Sequence, residues 1–140
     1  MLYDPLNPVV QLCVKGIETE YGGNVQHARA LYVEAWKLAS SDLELSTAAH
    51  YFARVQESQE EALQWNLTAL GHALKVVDEQ AAALYPSLYL NVAKSYEDLE
   101  NAKEAYRYYS LAEKAAKHLP VDEYGTMIRN GIQAGLNRTI

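Results

Sequence analysis

The stretch that decides the fold runs from Asn101 to Lys117 and reads NAKEAYRYYSLAEKAAK. Small residues and one aromatic recur in it at i, i+4, i+7 and i+11, the spacing that puts side chains on one stripe of an α-helix. The same register occurs twice earlier, first 34 and then 43 residues apart, so the chain is predicted to contain three helical repeats. The stripes are Ala28, Tyr32, Ala35, Ala39; Ala62, Asn66, Ala69, Ala73; and Ala105, Tyr109, Ala112, Ala116.

Capping residues and turns divide the chain into seven predicted helices. Asn24, Ser41, Ser58 and Asn101 can each cap a helix with a side-chain oxygen, and Pro86 suits a first helical turn. No run of alternating β-branched residues is bounded by hairpin turns, so the fold class is predicted to be all-α. The helices are expected at about 9–20, 25–39, 43–56, from 58 to about 78, from 86 to about 99, from 101 onwards, and at about 122–136.

These repeats resemble the tetratricopeptide repeat (TPR) family, in which each unit pairs two helices with small and aromatic residues at fixed positions. The residues that carry the resemblance are Leu12, Gly16, Ala28, Tyr32 and Ala35; Phe52, Ala62, Trp65 and Ala69; and Tyr89, Val92, Ala93, Tyr96, Ala105, Tyr109 and Ala112. It covers about residues 9 to 119. It implies one domain over residues 1–140, a right-handed α-solenoid of antiparallel helix pairs.

The expected repeats span about 9–41, 42–79 and 84–119, and an end helix at about 121–136 is expected to cover the last apolar face. The 43-residue interval exceeds 34 by nine residues, which include Ala81, Ala82 and Ala83. These extra residues are expected to lengthen helix four, helix five or both.

In this family partners lie along a concave surface formed by the first helix of each pair. Carried over by register, that surface includes Val10, Cys13, Ile17, Tyr21, Thr47, Tyr51, Arg54, Ser87, Leu90, Asn91 and Lys94. Arg54 and Lys94 would bind a partner's carboxylate, oriented by Tyr51 and Asn91; the alternative is that these are merely exposed helix residues. The chaperone-tail subclass has Lys and Asn where this chain has Cys13 and Ile17, so that specificity is not expected.

Composition excludes several function classes. Apolar residues make up 49% and charged residues 21% of the chain, and the net charge is −6. In the third repeat Lys103, Arg107, Lys114 and Lys117 are interleaved with Glu104 and Glu113. That pattern indicates a solvated helix face, so no nucleic acid is expected as a partner.

The compartment is inferred from what the chain lacks. One cysteine, Cys13, cannot form an internal disulfide, which fits a reducing compartment. No stretch has the ~20 apolar residues of a membrane span, and MLYDPLNPVV does not read as a secretory leader. We therefore expect a cytoplasmic protein without a membrane partner.

Neither a metal site nor a catalytic site is predicted. The histidines, His27, His50, His72 and His118, lack a second His at i+3 or i+4 and lack a Glu-x-x-His motif, so no metal or cofactor is expected. Cys13 has no neighbour placed to lower its pKa. Glu57, Glu60 and Glu61 could be paired carboxylates, but capping and solvation explain them more simply.

The predicted function is a non-enzymatic adaptor that binds a peptide or a protein surface in the concave groove. The alternatives are a regulatory sensor for a short peptide or small ligand, and a structural module that self-associates as a homo-oligomer. Among eleven tyrosines, Tyr106, Tyr108 and Tyr109 point in different directions around one helix, so two or three tyrosines are expected at an interface.

Overall fold

A computed structural model describes residues 4–140, with the side chains of all of these except 79 and 80. Residues 1–3, which include Tyr3 and the start of MLYDPLNPVV, lie outside the described residues. Helices account for 79% of the structure, and residues 4–140 contain no strand. The all-α prediction with seven helices is confirmed.

The seven helices begin close to the predicted positions. They are α1 Pro8–Tyr21, α2 Val25–Leu38, α3 Asp42–Ala53, α4 Gln59–Ala73, α5 Tyr85–Asp98, α6 Ala102–Ala115 and α7 Glu123–Thr139, with 3-10 turns at Glu79–Ala83 and Ala116–His118. The side chains of Asn24, Ser41, Ser58 and Asn101 accept hydrogen bonds from the first turns of their helices. The predicted caps are therefore confirmed.

The prediction that helix four or helix five is lengthened is wrong. α4 has 15 residues and α5 has 14, against 14 each for α1 and α2. The extra residues instead form an irregular connection that contains the 3-10 turn Glu79–Ala83. Val76 and Val77 are β-branched, and Val77 is fully exposed. A helix continued through them would gain little burial to offset its cost.

The chain divides into two compact units, the first ending at Val76 and the second beginning at Val77. The first unit contains α1 to α4, and the second contains α5 to α7. Within each unit consecutive helices pack against one another, and α1 also contacts α3 as α5 contacts α7.

The predicted stripes face inward. Ala28, Tyr32 and Ala35 have no exposed surface, and neither do Ala105, Tyr109 and Ala112 in the second unit. In the second copy Ala69 and Ala73 are fully buried, whereas Ala62 and Asn66 are partly buried. Small side chains let neighbouring helices approach closely, and the tyrosine rings fill the space between them.

Each buried tyrosine ring lies against a glycine. A Cβ added at Gly16 of α1 would lie 2.3 Å from Cε1 of Tyr32, and one added at Gly135 of α7 would lie 2.2 Å from Cε1 of Tyr109. Both distances are far below van der Waals contact. These two glycines are therefore required for space, since both rings belong to the buried core.

α7 packs against α5 and α6 in the second unit, as α3 packs against α1 and α2 in the first. Ala48 of α3 packs in a cluster with Cys13 and Ala35, and Ile132 of α7 packs with Ala112 and Ala116. The outer faces differ. Where α3 has the small buried residues Ser46, Ala49 and Ala53, α7 has the exposed polar residues Asn130, Gln133 and Asn137. α7 therefore has a polar outer face, whereas the corresponding positions of α3 are buried.

Substitution Gly16→Ala is expected to destabilise the protein by about 1–3 kcal/mol, because the added methyl group overlaps the buried Tyr32 ring. Gly71→Ala in α4 is the matched control, since a Cβ there meets nothing within 4 Å. It should be neutral or stabilising by up to about 1 kcal/mol through helix propensity. Urea denaturation followed by circular dichroism measures both; equal effects would contradict the packing described here.

A candidate partner-binding groove and two ion-pair clamps

An apolar groove of about 470 Å³ lies between α1 and α3 in the first unit. The residues that line it are Pro5, Val10, Gln11, Cys13, Val14, Lys15, Glu18, Thr47 and Tyr51. Four of them, Val10, Cys13, Thr47 and Tyr51, belong to the concave surface expected from the sequence. α1 and α3 are the first helices of the first two predicted repeats, so the register brings these side chains together.

Two small, buried side chains form part of the wall of the groove. Cys13 and Thr47 are buried at its wall, with 1% and 4% of their surfaces exposed. In the second unit Leu90 corresponds to Cys13, and its Cδ2 lies 3.5 Å from the position of a Cβ on Gly131. The larger leucine fills the equivalent space between α5 and α7. The corresponding residue of α1, Cys13, is smaller and belongs to the buried core of the first unit.

The wall of the groove is uncharged at neutral pH. Burial raises the pKa of the Cys13 thiol to about 12, so it stays protonated and is a poor nucleophile. Burial likewise raises the pKa of Tyr51. The Thr47 hydroxyl donates to the carbonyl oxygen of Leu43 at 2.8 Å. The charged residues Lys15 and Glu18 are exposed at the rim. Such a wall suits apolar contact rather than acid–base chemistry.

Arg54 forms a partly exposed ion pair with Glu20. The Tyr32 hydroxyl donates to Oε1 of Glu20 at 2.9 Å, and Arg54 donates from Nε to Oε1 and from Nη2 to Oε2 at 3.2 and 3.0 Å. Burial raises the pKa of Glu20, but the hydrogen bonds from Arg54 and Tyr32 outweigh burial and lower it. We call this set of three side chains, Glu20, Tyr32 and Arg54, the first clamp. It joins α1, α2 and the end of α3.

The second unit repeats this arrangement with Glu97, Tyr109 and Arg138. The Tyr109 hydroxyl donates to Glu97 Oε1 at 2.7 Å, while Arg138 donates to Oε2 at 2.7 Å and to Oε1 at 3.0 Å. The hydrogen bond from Arg138 lowers the pKa of Glu97 to about 2, and burial raises that of Tyr109 to about 12. The clamps were not predicted, although the glutamate precedes the tyrosine by 12 residues in both.

The remaining predicted site residues are divided between the units. Tyr21 is 78% exposed at the end of α1. In the second unit the Ser87 hydroxyl donates to the carbonyl oxygen of Leu84, Leu90 packs against the core, and Asn91 is half-buried. Lys94 pairs with Asp98 at 2.6 Å. Arg54 and Lys94 are the two cations expected to bind a partner's carboxylate. Each is therefore already paired with a carboxylate of this chain, Glu20 or Asp98.

Among residues 4–140 no group of three or more His, Cys, Asp or Glu side chains could hold a metal ion. None of the helices in that range is long and apolar enough to cross a membrane.

No family model, no curated protein and no solved structure matches this chain.

Substitution Glu97→Gln tests the second clamp. At pH 7 it should lower the free energy of unfolding by about 1 kcal/mol, since a partly exposed ion pair with charged hydrogen bonds is lost. Because the pKa of Glu97 lies near 2 when folded and near 4.5 when unfolded, this stability is present above about pH 4.5 and is lost as pH falls towards 2. The gap between variant and wild type should therefore narrow in that window.

Urea denaturation at pH 7, pH 5 and pH 3 measures this gap. Glu34→Gln on the exposed face of α2 removes the same charge and should change stability by less than about 0.5 kcal/mol. A gap that stays constant with pH, or that equals the effect of Glu34→Gln, would show that the clamp does not stabilise the fold.

Proposed function

We propose that this chain is a non-enzymatic protein–protein interaction module of the TPR type, a right-handed α-solenoid of antiparallel helix pairs that acts as a scaffold for a peptide or protein surface. The observation that carries the proposal is the apolar groove between α1 and α3. It lies on the first helices of two successive repeats, and four residues expected there by register line it. The single buried cysteine, Cys13, supports a reducing compartment such as the cytoplasm.

The groove favours a partner that inserts apolar side chains. Val10, Val14 and Tyr51 supply apolar surface, and Tyr51 adds a hydroxyl group to an aromatic ring, a combination enriched at interfaces. Lys15 and Glu18 on the exposed edge offer one charge of each sign. Charges at a rim contribute to orientation and association rate more than to affinity, so apolar burial supplies most of the binding energy.

Arg54 and Lys94 fit a different role from the one expected of them. Because Glu20 and Asp98 already neutralise them, a partner's carboxylate would have to displace an existing ion pair. Arg54 also joins α3 to α1, so reversing its charge would disturb folding and binding together. We therefore assign affinity to the groove side chains and not to these two cations.

A ligand-sensing function is the second candidate, and one observation favours it. A volume of about 470 Å³ falls within the range of small-molecule pockets, roughly 300–1,000 Å³. A short peptide or small apolar ligand could fill the groove without a larger protein surface. A protein partner would also cover surface outside the groove, whereas a short peptide or small ligand would stay within it.

Substitution Val14→Asp tests the groove. Val14 lines it and is 46% exposed, so a carboxylate there repels apolar ligands without burying a charge. We expect a loss of about tenfold or more in the partners retained by the immobilised chain from a lysate of its own host, because an apolar contact in the groove is replaced by a hydrated charge. Quantitative mass spectrometry of the retained proteins measures the loss.

The matched control is Val25→Asp in α2, where the valine is 45% exposed and lies outside the groove. It should retain partners as the wild type does. If Val14→Asp retains the same proteins as the control, the groove is not the binding surface and the proposal fails.

A further inference from the structure

Four cations share one exposed stripe on the outer side of α6 and the 3-10 turn after it. Lys103, Arg107, Lys114 and Lys117 are all exposed, and they follow one another at i, i+4, i+11 and i+14. At 1.5 Å per residue the stripe is about 20 Å long. Glu104 and Glu113 lie to its two sides rather than within it, because they are offset by roughly a quarter turn. One third of the twelve Lys and Arg residues therefore stand in one row.

The fold does not require these charges, and the chain contains its own comparison. The three repeats bury the same register of small residues, so their second helices can be aligned position by position. At the positions of the four cations, α2 and the residues after it have Gln26, Ala30, Lys37 and Ser40, and α4 and the residues after it have Glu60, Gln64, Gly71 and Leu74. The complete cationic row belongs to α6 alone among these three helices.

Most of this charge is available to a partner. Arg107 pairs with Glu104 at 3.1 Å and lies 5.1 Å from the centre of the Tyr108 ring. None of the ion pairs among the described residues involves Lys103, Lys114 or Lys117. Tyr106, which is 39% exposed, lies beside the row and adds apolar surface with a polar tip.

We propose that the cationic row of α6 is a docking site for an acidic segment of a partner protein, one that presents a single line of Asp or Glu side chains over about 20 Å. That length corresponds to about six residues of extended chain or about four turns of helix. The site lies on α6 of the second unit, whereas the proposed groove lies on α1 and α3 of the first. It does not depend on the groove being a binding site.

The width and surroundings of the row favour an acidic segment over a nucleic acid or an anionic membrane. Duplex DNA and bilayers present negative charge over a broad surface, which would bring phosphates against Glu104 and Glu113. The net charge of −6 also repels large polyanions. A single line of carboxylates meets the lysines and avoids the flanking glutamates.

The experiment measures fluorescence anisotropy of a labelled peptide of ten glutamates titrated with the full chain at about 20 mM salt, where screening is weak. Wild type should bind, and added salt should weaken binding. Lys114→Glu combined with Lys117→Glu should bind about tenfold or more weakly, since two attractions become repulsions. The matched control combines Lys37→Glu with Lys75→Glu, which changes the net charge equally at two other exposed lysines near helix ends. It should bind within about twofold of wild type.

The competing partners are tested by replacing the peptide with a labelled DNA duplex and with vesicles that contain phosphatidylserine. Tighter binding to either than to the peptide overturns the proposal in favour of a broad polyanion. Absence of peptide binding by wild type at low salt overturns it, and so does an equal loss in the two double variants, which would mean that only net charge acts. Circular dichroism establishes that both double variants are folded.

Discussion

The structure depends on two close contacts, each between a buried tyrosine ring and a glycine, whose missing side chain leaves room for the ring. Tyr32 and Tyr109 are completely buried, and each ring occupies the space in which the side chain of Gly16 or Gly135 would stand. Alanines above and below each tyrosine keep the flanking helices near enough to enclose the ring. The hydroxyl group at the tip of such a ring still needs a hydrogen-bond partner, and a glutamate held by an arginine supplies it in both units.

The proposed ligand site follows from the way α1 packs against α3. Cys13 and Thr47 are buried at the wall of the groove, and Val10, Val14 and Tyr51 line it. The second unit has different residues at all the corresponding positions, namely Leu90, Gly131, Ser87, Asn91 and Gly135. Close packing of a repeated framework thus leaves function to a few substitutions on that framework, which is where we place the proposed binding of apolar side chains.

Local features could be read from the sequence, and side-chain geometry between helices could not. The buried stripes and the caps at Asn24, Ser41, Ser58 and Asn101 follow from spacing along one helix. Thr47 and Tyr51 could be assigned to the groove because a repeat register fixes which face they share. The sequence predicted that helix four extends to about residue 78, but α4 ends at Ala73, because Val76 and Val77 would gain little burial in a longer helix.

The clamps escaped prediction because each draws its members from three helices. The tyrosine is followed by its arginine after 22 residues in one unit and 29 in the other, so no fixed interval marks the set. The sequence predicted a solvated helix face at the four cations of α6, and all four are exposed. Glutamates that alternate with lysines along the chain lie beside them, not between them, once the helix is formed.

The clamps also bear on how this sequence can change over evolutionary time. Replacing Tyr32 alone would strip Glu20 of one donor, and replacing Glu20 alone would leave a buried hydroxyl and a guanidinium without their acceptor. Substitution at one of the three positions is therefore destabilising unless the other two positions also change. In descendants of this chain the trio should be kept or exchanged as a set, a correlated signature that crosses three helices and that no single-helix pattern would contain.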